Sequence, residues 1–137
     1  MFSAAPAPPA DAAIDPSGPQ WNRAAAITEK RCAAPGEVYP KTIDPDYSVT
    51  NADVANNAMR CLLRLHGVDR GYVLLYALRV FGTINYGRDA LDLHRQNNQR
   101  QERLIEDALK ISGLPGVLRR ALRDAEEELL NYDALND

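Results

Sequence analysis

Apolar residues return at helical spacing in several separate stretches of this chain, and the breaks between them carry turn chemistry. Trp21, Ala24, Ala25, Thr28 and Cys32 fall on one face when residues 19–33 are wound as a helix. Ser17 and Gln20 have the spacing of a capping box, Pro19 suits a first helical turn, and Pro35-Gly36 ends the element. Val54, Ala58, Cys61, Leu62 and Leu65 repeat in the same way, after a capping start at Thr50 and Asp53 and before Gly67 at a C′ position. His66 would lie in the last turn of that helix, where the dipole favours a protonated imidazole, a structural role rather than a catalytic one.

The run from Tyr72 to Phe81 is apolar nearly all round, with Arg79 as the exception. "YVLLY" alone would suit a strand, but the run length and the helical neighbours predict a central, buried helix over 69–82. Arg79 then sits at the rim with its stem snorkelling, or lies buried against a carboxylate; the rim is the expectation. A long helix is predicted over 88–111, capped by Asn85 and ended by Gly113. Leu118, Ala121, Leu122, Ala125, Leu129 and Tyr132 form the stripe of a last helix entered through Pro115. The short "SGLPG" link folds it back antiparallel to the long one.

Two segments lack any period. Residues 1–16, "MFSAAPAPPADAAIDP", are dominated by alanine and proline and offer little to bury, so a disordered or extended docking arm is expected, with Pro8 and Pro9 as its contact residues. Residues 37–49, "EVYPKTIDPDYSV", read as an ordered loop in which Tyr39, Ile43 and Tyr47 can reach the core and Tyr39 and Tyr47 can meet a partner. Asp44 and Asp46 are too few for a calcium loop. The fold class is therefore all-α: a small bundle of four to five helices in a single helical domain over 17–137, preceded by the extended Pro/Ala-rich N-terminal arm.

One polar segment breaks the pattern. "HRQNNQRQER", His94 to Arg103, has no aliphatic or aromatic side chain within the long helix. A helix packed along its length needs an apolar residue every three or four positions. The helix can carry this stretch through solvent, break near Asn97-Asn98, or pack it against a polar partner. Arg95, Asn98, Arg100 and Arg103 are the candidate contact residues. Arginine, asparagine and glutamine also read bases and phosphates, so nucleic acid is an alternative partner. The net charge of −3 argues against it, and after Arg123 every ionisable side chain is acidic.

Composition adds exclusions. The best apolar run is too short for the roughly 20 residues of a membrane span. The opening residues have neither the basic start nor the apolar run of a signal peptide. Cys32 and Cys61 lack zinc-site spacing. They are read as two small buried thiols, with one disulfide between two helices as the alternative. Free thiols would suit the cytoplasm or a virion or other complex, and a bond would suit the periplasm or secretion. No dinucleotide fingerprint, phosphate loop or nucleophile elbow occurs, and no cofactor is implied. The expected role is a non-enzymatic interaction or assembly subunit, structural component or adaptor, with a protein partner or a homo-oligomer. The alternatives are a nucleic-acid-binding regulator using the 94–103 segment and a small enzyme of unknown chemistry.

Overall fold

Gly36, Gly67 and Gly113 each adopt a positive φ, at 83°, 70° and 77°, and each lies in a connection beyond one of the helical segments anticipated above. The computed structural model describes residues 19–37, 39, 48–81 and 91–135. Among these residues the chain forms five helices and no strand: α1 (Pro19–Cys32), α2 (Ser48–Leu62), α3 (Val68–Phe81), α4 (Leu91–Leu109) and α5 (Gly116–Leu135). The all-α bundle predicted from the apolar period is thus the fold. The arm at 1–16, with Pro8 and Pro9, and loop residues such as Tyr47 lie outside the described residues.

α3 is the central element, and it packs against all four other helices. Its near-uniform greasiness explains this: from Tyr72 to Val80 every residue but Arg79 is at most 5% exposed. Arg79 is half-buried; its Nε is enclosed and has no hydrogen-bond partner. Gly71 lets this helix come close to the α4–α5 turn. A Cβ built there would lie 3.0 Å from Leu114 Cδ1 and 3.1 Å from Leu118 Cδ2.

α1, and Tyr39 beyond its end, are fastened to α3 by aromatic stacking. The Trp21 ring stacks on Tyr76 at 4.8 Å between centroids, and Tyr39 follows on Tyr76 at 6.1 Å. All three rings are fully buried. Tyr39, read above both as reaching the core and as meeting a partner, takes the first role: burial removes it from any free surface. The Arg31–Asp69 ion pair at 3.0 Å adds a half-exposed tie of small weight between α1 and α3.

Cys32 and Cys61 are not free thiols. They form a disulfide between α1 and α2, with Cα atoms 5.7 Å apart. The expectation of two buried thiols failed because pairing depends on how the end of α1 is set against α2, which spacing along the chain does not encode. α2 also ends sooner than its apolar period suggested. The chain leaves the helix at Leu62, and His66 lies exposed in the connection before α3 rather than in a last helical turn.

α4 runs unbroken through Asn97-Asn98, so the polar stretch is neither a hinge nor a pair of helices. Its inward face is Asn98, Gln101, Ile105 and Ala108, all buried. The amphipathic stripe continues through the segment with amides in place of aliphatics. α4 and α5 pack together, and Arg119 Nη1 donates to the Leu109 carbonyl at 2.7 Å. That bond satisfies one of the carbonyls orphaned at the end of α4.

Candidate functional site

The outer face of α2 is set by what its inner face must do. Val54, Ala55, Ala58, Met59, Cys61 and Leu62 are buried, so Asp53, Asn56, Asn57 and Arg60, at i, i+3, i+4 and i+7, line up on the other side. Glu37, beyond the turn that ends α1, approaches this row; its Oε1 accepts the Ala34 N–H at 3.4 Å. Arg100 reaches it from α4. Together these six residues line a cleft of about 510 Å³.

The cleft is polar throughout. Two guanidinium groups and two carboxylates stand with two carboxamides, and all are exposed except the half-buried Asn57. Arg60 Nη2 donates to Asn57 Oδ1 within the row, which orients one guanidinium. The buried Tyr39 neighbours Glu37 and Arg60, and its hydroxyl donates to the Cys32 carbonyl at 3.5 Å. Burial first, then the neighbouring Glu37 carboxylate, pushes the Tyr39 hydroxyl up to about 12, against a weaker opposing effect of Arg60.

This volume is within the usual range for small ligands, but such sites are lined mainly by apolar and aromatic groups. The lining here can exchange paired charges and amide hydrogen bonds with another polar surface. Among the described residues, no group of three or more histidine, cysteine or acidic side chains is placed to hold a metal ion.

The residues singled out from the sequence separate. Arg100 lines the cleft and Arg103 is exposed, outside its lining. Asn98 is only 8% exposed and belongs to the inward face of α4, so its assignment as a surface contact is corrected. The side chain of Arg95 lies outside the described residues. Glu37, Asp53, Asn56, Asn57 and Arg60 were not anticipated as a site. The spacing of the last four was visible as one polar helix face, but a polar face is also what any surface helix presents. Comparison with known protein families, with characterised proteins and with solved structures finds no match to this chain. Among the described residues, no helix is long and apolar enough to cross a membrane.

Proposed function

We propose that the protein is a non-enzymatic interaction or assembly subunit that binds a protein partner through the mixed-charge cleft. The cleft is the observation that supports this reading: opposite charges and carboxamides from α2, α4 and the turn after α1 form one continuous, exposed surface around Arg100. Such a lining recognises a partner carrying both charge signs and discriminates against surfaces of a single sign. The Cys32–Cys61 bond supports a further part of the proposal, that the protein works in an oxidising compartment, periplasmic or extracellular.

The test is a photo-crosslinking residue in place of Asn56, in cells that make the protein. The expected result is a discrete adduct to another protein that disappears when Arg100→Glu is added, with thermal unfolding unchanged. No adduct, together with stabilisation by a member of a metabolite panel, would turn the reading to an enzyme. Binding to DNA or RNA that falls steeply with salt would turn it to a nucleic-acid regulator.

A further inference from the structure

α5 carries its charges in two consecutive blocks of opposite sign. Arg119, Arg120 and Arg123 come first. Asp124, Glu126, Glu127 and Glu128 follow them along the helix. Three pairs are opposite in sign about the point between Arg123 and Asp124: Arg123 with Asp124, Arg120 with Glu127 and Arg119 with Glu128. Arg120 stands as far before that point as Glu127 stands after it, and the same holds for Val117 and Leu130. A helix with this order is complementary to a second copy of itself laid antiparallel.

The packing of α5 leaves the relevant positions outward. Leu118, Ala121, Leu122 and Ala125 are buried, and Arg119 is turned to the end of α4. Arg120 and Glu127, seven residues and so about two turns apart, lie on one line of the exposed face. Within one copy, Arg120 meets Asp124 only at 3.7 Å, and the arginine side chain is 81% exposed. Val117 and Leu130 are exposed to 57% and 52%, on opposite shoulders of the same face. Only Leu63, just beyond α2, is a comparably exposed large apolar side chain among the described residues.

We propose that α5 is a self-pairing surface, through which two copies of this chain associate about a two-fold axis with their α5 helices antiparallel. Arg120 of each copy then faces Glu127 of the other, so the contact is made twice. Val117 comes level with Leu130 of the second copy, one on either side of the charged seam. Two-fold pairing is the commonest closed arrangement of identical chains. A single helix face is at the small end of specific interfaces, so the dimer is weak and sensitive to salt. This inference rests on the assembly reading but uses a different surface from the cleft.

The experiment is sedimentation equilibrium of the full chain over a concentration series at low and high salt. The wild type should move from one chain to two with rising concentration at low salt and return toward one at high salt. Arg120→Glu alone and Glu127→Arg alone each place like charges in contact twice and should raise the dimer Kd at least about tenfold. Circular dichroism should be unchanged in both, since neither side chain is buried. Mixing the two single variants restores both opposite-charge contacts in a heterodimer, and so does the double variant with itself. Recovery in both cases carries the proposal. A wild type that stays a single chain at low salt overturns it, and so does a dimer indifferent to the single variants. Neither failure touches the Asn56 crosslink, which reports on the cleft.

Discussion

Leu62 is fully buried at the end of α2, the helix that packs most extensively on α3. Leu62→Ala should lose roughly 2–5 kcal/mol in urea unfolding, from the removed side chain and the cavity it leaves. A loss below about 1 kcal/mol would mean that the site collapses around the smaller residue. Gly71 tests the opposite limit. Alanine there would gain about 1 kcal/mol of helix propensity, but its Cβ meets Leu114 and Leu118 at 3.0–3.1 Å. Both neighbours are ends of leucine side chains, so the expected outcome of Gly71→Ala is a modest net loss of about 1 kcal/mol. Gly71→Leu should prevent normal docking of the α4–α5 turn. Tyr39 gives a pH signature. Its folded-state value is raised from 10.0 to about 12, so the neutral ring stabilises the fold fully below pH 10. That contribution is lost as pH climbs through about 12. Burial raises Tyr76 as well. Thermal unfolding between those pH values should therefore fall less steeply in Tyr39→Phe than in the wild type. Tyr39 is also the clearest limit on what the residues alone reveal. A tyrosine in a proline-rich loop reads equally as a pin or as a contact, and only the stack on Tyr76 separates the two.

At the level of elements, much was legible because helix ends carry their own chemistry. Pro19 opens α1, and the glycines at 36, 67 and 113 shape the connections between helices through backbone conformation, a local property. The register of α4 through its polar segment was not legible. Without an aliphatic to mark the inner face, Asn98 and Gln101 look no different from Arg100 and Arg103, although the first pair is buried and the second exposed. The charge order of α5 was visible, but its use depends on which face the bundle covers. The α4–α5 hairpin has an identifiable clasp in Arg119. Arg119→Ala leaves the Leu109 carbonyl without that donor and should cost about 1–2 kcal/mol, read from chemical unfolding. Arg120→Ala, one position along and on the open face, should change the stability of a single chain by less than about 0.5 kcal/mol.

The molecule as a whole is held by one continuous core around α3 and by one covalent cross-link on its flank. The cross-link spans 29 positions of the chain, and on a chain-entropy basis it should contribute roughly 3–4 kcal/mol. Reduction, or the paired change Cys32→Ala with Cys61→Ala, should lower the unfolding temperature markedly while leaving the helical signal intact at low temperature. An unchanged unfolding temperature would show that packing on α3 is enough to hold α1 and α2 without the bond. The same bond has a topological result. Cys32, Cys61 and the chain between them form a closed ring, so the route from α1 to α2 no longer depends on the peptide backbone alone. A protease that cuts once after Lys41 would leave a single molecule, which separates into two pieces on a gel only after reduction. New chain ends could accordingly be opened within that ring, and the old ones joined elsewhere, without severing the first helix from the second.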